Sequence, residues 1–467
     1  MRKLTPPQIV LLSFGIAILC ATLLLSLPVA TKSGNPLSPI DSLFTATSAT
    51  CVTGLIVKDT GRAFSLFGQI VILLFIQLGG LGIMTFSTLF SIILAKRLTI
   101  SQDLTIKNAL GYDKIEGLRG LIKYIVLIAF VVEFIGATLL YLRWSFITQW
   151  SQATIFKRAI FHSISAFCNA GFSLFSNSLT NWRADTAIMA IMGSLIIIGG
   201  LGFVVVLNIP KLGFYVPFFR RAYLARQIKK GIANPFVKKI NLQTKTVLAV
   251  TIILLLIGMA GVFLLECNYI LKDMPLKEKF LSSIFTAITP RTAGFNVLPT
   301  GDLQTTTKFL LMILIFIGAS PGSTGGGIKT ATVAVLLVGF VSMLKGRDRI
   351  FIFKRTIERD VFRRAVAIFV LAITLIFTST LLLTITEKAV SGDNGYFLSL
   401  FFETTSAFGT CGLTTGVTPH LSTLGKLIVA ITMFIGRIGP LTVALALAMR
   451  VEKKIYYRYP EEKITVG

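Results

Sequence analysis

Histidine is almost missing from this sequence: there are two, His162 and His420, in 467 residues. Cysteine is scarce as well. Cys20, Cys51, Cys168, Cys267 and Cys411 are odd in number and lack CxxC spacing, which indicates neither a disulfide framework nor a zinc site. Two lone histidines also fail to supply the nucleophile–base or metal constellation that a membrane enzyme would need. Charge is the next shortage. Only 14% of the residues are charged and 54% are hydrophobic, whereas soluble domains carry roughly 25% charge. The chain therefore reads as an integral membrane protein. Acids are the scarcer sign, 20 against 46 Lys and Arg, for a net charge of +26. In a soluble protein that excess would suggest nucleic acid. Here it matches the positive bias of cytoplasmic loops, and no nucleic-acid partner is expected. A cleavable signal is missing too: the apolar stretch from Ile9 to Leu27 ends at Pro28 without a small-x-small site, so it reads as a first membrane helix.

What the chain has in plenty is glycine, and four glycines are evenly spread. Gly54, Gly171, Gly294 and Gly412 lie 117, 123 and 118 residues apart. Each ends a short run of small or polar residues and precedes a large apolar one: Val52-Thr53-Gly54-Leu55, Asn169-Ala170-Gly171-Phe172, Thr292-Ala293-Gly294-Phe295 and Thr410-Cys411-Gly412-Leu413. A second glycine cluster follows each, beginning at Gly79, Gly199, Gly318 and Gly436, which is 25, 28, 24 and 24 residues downstream. Two landmarks that keep step through four units indicate an internal repeat. The units are 1–95, 96–210, 211–345 and 346–467. Each reads as an outer helix, a half-helix too short to span, a glycine peptide and an inner helix. The sum is an all-α membrane fold of eight spanning helices and four half-helices, arranged pseudo-fourfold around one pore.

An even number of crossings per unit makes the four units parallel copies, which can converge on one axis; inverted repeats are typical of many alternating-access carriers. Thirty of the 46 basic residues fall at the start, in the loops near 95–123, 210–245 and 345–364, and in the tail after Met449. That side is expected to be cytoplasmic, with both termini inside and the half-helices on the outer face of the plasma membrane. The loop 211–245 holds nine basic and no acidic residues; contact with anionic lipid and docking of a cytosolic subunit both remain open.

A bare alkali cation needs oxygens to replace its hydration shell, and rings of backbone carbonyls supply them. Such a backbone needs dihedrals that glycine permits, and each half-helix would aim its negative C-terminal end at the ion. Val52, Thr53 and Gly54, Asn169, Ala170 and Gly171, Thr292, Ala293 and Gly294, and Thr410, Cys411 and Gly412 are thus the candidate filter residues. Potassium would sit at the carbonyls of the four glycines. The alternative is four re-entrant turns with glycine for geometry alone.

The third inner segment departs from the pattern. Asp302–Leu344 would be about 65 Å long as one helix, twice the hydrocarbon thickness. Its middle is Gly318-Ala319-Ser320-Pro321-Gly322-Ser323-Thr324-Gly325-Gly326-Gly327-Ile328-Lys329-Thr330, a poor helix former. Irregular backbone at that depth is tolerated only where it lines a cavity. Gly318, Ser320, Gly322, Ser323, Thr324, Gly325, Gly326, Gly327 and Lys329 are therefore expected to form a gate below the filter; a passive kink is the alternative. The segment superficially resembles a phosphate-binding loop, but Ile328 separates Gly327 from Lys329 and no strand precedes it. Arg437 lies inside an apolar span, where such residues face cavities. It would form an electrostatic barrier, hold the gate through its carbonyls, or pair with an acid such as Glu403. Asp41 reads as a helix cap beside Ser38. Glu133 and Glu266 are either pathway residues or packed against a basic neighbour.

These glycine peptides, with Ser165–Ser173, Thr289–Asn296, Ser406–Thr414 and Phe434–Pro440, resemble the Trk/Ktr/HKT superfamily of potassium transporters over essentially the whole chain. No helices precede the first unit, so the resemblance is nearest to the Ktr branch. It implies channel-like potassium uptake, with Gly54 in place of the serine found in some sodium-permeable plant relatives. It also implies a gating loop in the third unit, a pore-facing arginine at Arg437, a homodimer, and a cytosolic ring of nucleotide-binding RCK subunits of the KtrA type. Sodium as an activator or co-ion varies among relatives, and no residue here decides it. The chain has no Rossmann fingerprint of its own, so no organic cofactor is expected on it. A substrate-coupled symporter would want inverted repeats and paired acids, neither of which appears.

Overall fold

In a computed structural model, residues 6–81, 118–208, 241–347, 349–387 and 396–448 are described. They are mostly helical. The basic loop 211–245 up to residue 240, most of the loop near 95–123 and the tail after residue 448 lie outside the described residues.

Four helices are long and apolar enough to cross a bilayer singly: α1 (Pro6–Leu25), α5 (Leu118–Ile147), α9 (Leu242–Glu266) and α13 (Arg359–Thr386). They begin the four sequence units and expose much apolar surface, for example Leu23, Phe134, Leu264 and Phe377. That is the expected outer face of helices bathed in hydrocarbon.

Behind them lie the half-helices α2 (Pro39–Thr50), α6 (Gln152–Phe167), α10 (Leu276–Ile288) and α14 (Tyr396–Gly409). At 12, 16, 13 and 14 residues they are too short to span. Most of their C-terminal residues are fully buried, and each runs straight into its glycine peptide. The start of α2 follows from Ser38 and Pro39. Ser38 Oγ accepts the Asp41 N–H at 3.1 Å and proline occupies the first turn. Asp41 is therefore not the cap. Its carboxylate instead accepts from Lys426 Nζ at 2.7 Å.

The third inner segment is broken, as its glycine-rich middle predicts, and two others correct an expectation: the second and fourth are not continuous helices. The second is α7 (Thr186–Leu201) followed by α8 (Phe203–Asn208), parted at Gly202 with φ +86°. The fourth is α15 (Thr423–Ile438) and α16 (Pro440–Ala448), bent by 95° at Gly439, φ +97°. The third is α11 (Thr305–Phe316) and α12 (Thr330–Leu344), separated by the glycine-rich loop. The first is described only as α4 (Leu66–Gly80), with the one-turn α3 (Thr60–Ala63) before it. A left-handed dihedral is strained for L-residues but cheap for glycine, so the chain breaks at these points. After α12 a small antiparallel hairpin pairs β1 (Ile350–Ile352) with β2 (Arg355–Ile357).

The stepped glycine clusters now have a reason. Carbonyl oxygens of Thr50, Phe167 and Phe408 occupy the space where side chains on Gly79, Gly199 and Gly436 would stand. In the first, second and fourth units the inner helix thus packs against the end of its own half-helix, and only glycine lets the two backbones approach so closely.

Candidate functional site: a ring of four glycine peptides above an intramembrane loop

The four glycines are neighbours in a closed ring. A carbon placed as a side chain on Gly54 would lie 3.0 Å from Gly171 Cα, and one on Gly171 3.0 Å from Gly294 Cα. One on Gly294 would lie 3.3 Å from Gly412 Cα, and one on Gly412 2.9 Å from Gly54 Cα. All four have positive φ, from +70° to +94°. Two residues earlier Val52, Asn169, Thr292 and Thr410 also adopt left-handed φ, from 48° to 68°. Four non-glycine residues held alike in that sparsely populated region mark a backbone shaped for a purpose. Thr53, Ala170, Ala293 and Cys411, between the strained pairs, are fully buried.

Hydroxyls at the ends of the half-helices hold this shape. Ser48 Oγ accepts the Gly54 N–H and Ser406 Oγ the Gly412 N–H, both at 3.1 Å. Ser165 Oγ donates to Phe172 O at 2.7 Å, and Thr289 Oγ1 to Phe295 O at 2.6 Å. Asn169 Nδ2 reaches across to Arg291 O at 3.0 Å, tying the second peptide to the third. Among the buried polar atoms without a hydrogen-bond partner are Thr53 Oγ1, Asn169 Oδ1 and Thr410 Oγ1. Asn169 Oδ1 lies against Gly199 and Thr410 Oγ1 against Gly326, on the side of the inner segments; the main-chain oxygens of the peptides are the ligands that suit a hard cation as substrate. No group of three His, Cys, Asp or Glu side chains suited to a metal occurs among the described residues.

The third-unit loop lies against the underside of the ring. The Thr292 and Thr410 side chains fill the space that side chains on Gly325 and Gly326 would need. The loop is pinned at several points. Ser320 and Thr324 donate their N–H groups to Gly200 O and Gly199 O at 3.1 and 3.3 Å. Thr324 Oγ1 donates to Phe167 O at 3.3 Å, and the Phe203 N–H to Gly322 O at 3.0 Å. Ser323 Oγ turns back to Ser320 O at 2.6 Å. A parallel bridge joins Ile317 to Ile328 at the neck, where Gly318 packs against Gly326 and Gly327.

Two cations fasten it. Lys329 Nζ donates to Gly325 O at 2.6 Å. The Arg437 guanidinium donates to Thr324 O and to Gly79 O. Of the roles open to Arg437 in the sequence, holding the loop fits these contacts, and the Glu403 pairing does not. Glu403 is instead occupied by the hydroxyls of Thr414, Thr415 and Thr418 and by the Thr415 N–H. Among the described residues Glu133 has no ion-pair partner either; it accepts from Gln77 Nε2 at 2.9 and 3.0 Å and from Cys168 Sγ at 3.8 Å. Glu266 Oε1 accepts the Gln304 N–H at 2.9 Å, where α11 approaches. Cys51, Cys168 and Cys411 are buried at the ring; Cys168 Sγ donates to Gln77 Oε1 at 3.4 Å and Cys411 Sγ to Thr289 O at 3.5 Å.

One residue at the site gave no signal in the sequence. Buried His162 in α6 contacts Arg158 O through Nδ1 at 2.8 Å, and Ser173 Oγ and the Leu174 N–H through Nε2 at 3.0 and 3.4 Å. A carbonyl can only accept, so Nδ1 carries the proton and Nε2 accepts. The ring also stacks on Phe175 with centroids 4.6 Å apart. It thereby fixes the segment that leaves the second glycine peptide. A spacing of eleven residues between His162 and Ser173 corresponds to no motif. The break at Gly439 could have been found: a glycine followed by Pro440 is the usual stop and restart of a helix.

Comparison with known proteins agrees with this geometry. The family profile TrkH, described as cation transport protein, matches residues 11–459. The Ktr system potassium uptake protein B of Bacillus subtilis is 39% identical over 100% of this chain and 97% of its own. The potassium/sodium uptake protein NtpJ of Enterococcus hirae is 36% identical over 100% of this chain and 98% of its own. The crystal structure of the potassium transporter TrkH from Vibrio parahaemolyticus shares the fold. Its TM-score is 0.68 at 19% identity, covering 93% of this chain and 84% of that one. With a closed glycine ring and matches running end to end, the chain belongs to the TrkH family of cation transport proteins.

Proposed function

We propose that the chain is the pore-forming membrane subunit of a potassium uptake system, passing potassium down its electrochemical gradient through the four glycine peptides. The observation that carries this reading is the closed ring of Gly54, Gly171, Gly294 and Gly412. Carbonyls of these glycines and of the residues just before them replace the hydration shell of the ion. The half-helices aim their carbonyl ends at it. Each unit is an outer helix, a half-helix and an inner segment, and the four surround one axis. The loop Gly318–Lys329 is the gate, closed when Arg437 and Lys329 hold it under the ring.

The relatives named Ktr system potassium uptake protein B, in B. subtilis and in Vibrio alginolyticus at 38% identity, support potassium as the cargo. Glycine rather than serine at position 54 agrees. Those names speak of a system, which fits a regulatory partner. A cytosolic nucleotide-binding ring of the KtrA type acting on a homodimer is our reading. The subunit would lie in the plasma membrane with both termini cytoplasmic. A sodium-permeable or sodium-coupled transporter is the second reading, favoured by the E. hirae potassium/sodium uptake relative.

Growth of a potassium-uptake-deficient bacterium at low potassium, with a ring subunit co-expressed, tests the proposal. Wild type restores growth. Gly54→Ser, whose side chain meets the Ala170 carbonyl, restores it less and makes the cells sensitive to sodium. No rescue by wild type defeats the proposal; rescue only when sodium is supplied moves it to the second reading.

A further inference from the structure

A cavity of about 840 Å³ opens where the end of α12, the β1–β2 hairpin and the start of α13 meet. Its walls carry Arg349, Arg359 and Arg363, and its apolar floor is formed by Ile350, Ile357 and Phe362. Among the described residues no carboxylate lines it, and neither Arg349 nor Arg359 has an ion-pair partner. Arg363 has only a loose, exposed contact to Asp360, at 3.8 Å. Guanidinium groups in such numbers suit phosphate, which they bind with two donors each.

The position of the cavity selects the ligand. Both helices that frame it expose apolar faces, Phe340 and Leu344 on α12 and Phe369 and Val370 on α13. Along the hairpin Phe351 and Phe353 are exposed as well. A basic pocket continuous with such surface sits at the depth of lipid headgroups, where each Lys or Arg adds to the attraction for anionic lipid. We propose that this cavity binds the headgroup of an anionic phospholipid. Arg349, Arg359 and Arg363 hold the phosphate, and the acyl chains lie along Phe340 and Leu344. The bound lipid would brace the hairpin against α12, the helix that leaves the third-unit loop.

The test uses the full chain reconstituted in nanodiscs of phosphatidylcholine with a minority of phosphatidylglycerol. Lipid carried through detergent extraction is then counted by mass spectrometry. Wild type should retain phosphatidylglycerol. The triple variant Arg349→Gln, Arg359→Gln, Arg363→Gln should lose it, by roughly fivefold in affinity per arginine. A control triple that removes the same charge outside the cavity, Lys345→Gln, Lys354→Gln, Arg364→Gln, should retain it. Size-exclusion profiles and melting temperatures identify variants that fail to fold. In that event single Arg→Lys variants, which keep charge but lose the forked donors, replace the triple and should weaken retention. Equal loss in both triples would reduce the site to general surface charge and overturn the proposal. Displacement by millimolar inorganic phosphate with no lipid retained would assign the cavity to free phosphate and overturn it too. Unchanged lipid with loss only of a co-purifying cytosolic protein would make it a protein contact, the third overturning result.

Discussion

His162 and Arg437 each act on the site through hydrogen bonds that a substitution can remove one at a time. Replacing His162 by Phe keeps the stack on Phe175 but deprives the Leu174 N–H and Ser173 of their acceptor. A buried donor left unpaired costs about 1–3 kcal/mol. The expected outcome is a lowered melting temperature and weaker discrimination of potassium from sodium in proteoliposome flux. Gln, which can still accept, should recover part of both; discrimination unchanged in the Phe variant would deny His162 a part in the filter. At Arg437, substitution by Gln removes two charge-assisted hydrogen bonds to Thr324 O and Gly79 O. Such bonds contribute about 1.5–3 kcal/mol each. Rubidium uptake without any ring subunit should therefore rise by about tenfold or more. At this scale the sequence was legible where chemistry repeats and opaque where it does not. The four glycines and the odd Arg437 could be picked out by spacing and by charge in an apolar run. The partner of Asp41 lies 385 residues away in Lys426, and pairs at that separation leave no local pattern.

Among the elements, the half-helices are legible in the sequence because polarity and shortness mark them off from their neighbours. The second and fourth inner segments read as continuous in the sequence for a physical reason. One glycine in an apolar run costs a helix only about 1 kcal/mol, so sequence alone does not say whether it bends or breaks. Packing decides, since the loop carbonyl of Pro321 stands where a side chain on Gly202 would go. Gly202→Ala should then strain both the backbone, at φ +86°, and the loop contact. Stability should fall by about 1–3 kcal/mol, read as a lower melting temperature, and the loop should become easier to displace. Deleting Gly322–Gly327 tests the loop directly: uptake should rise and cease to depend on a ring subunit. Unchanged flux in a well-expressed deletion would leave the segment a passive kink.

For the molecule as a whole, composition was sufficient to assign the chain to a membrane, and the four-unit count followed from the glycine spacing. The order of the units around the ring could not be read from it. Symmetry permits several arrangements, and the sequential one, first to second to third to fourth and back, rests on contacts between distant peptides. Purified protein in detergent is expected to run as a dimer by light scattering. Adding a ring subunit should shift that mass further, and potassium uptake should then depend on nucleotide.

The sequential order has a consequence for synthesis. Gly412 closes against Gly54, Lys426 reaches Asp41, and Gln8 Nε2 at the start of α1 donates to Ala446 O in the last helix at 3.3 Å. The first unit made is therefore completed by the last. Until the fourth unit is made, Asp41 lacks Lys426 and the first glycine peptide lacks the neighbour that closes the ring on it. A chain stopped after three units would leave the ring open between Gly294 and Gly54.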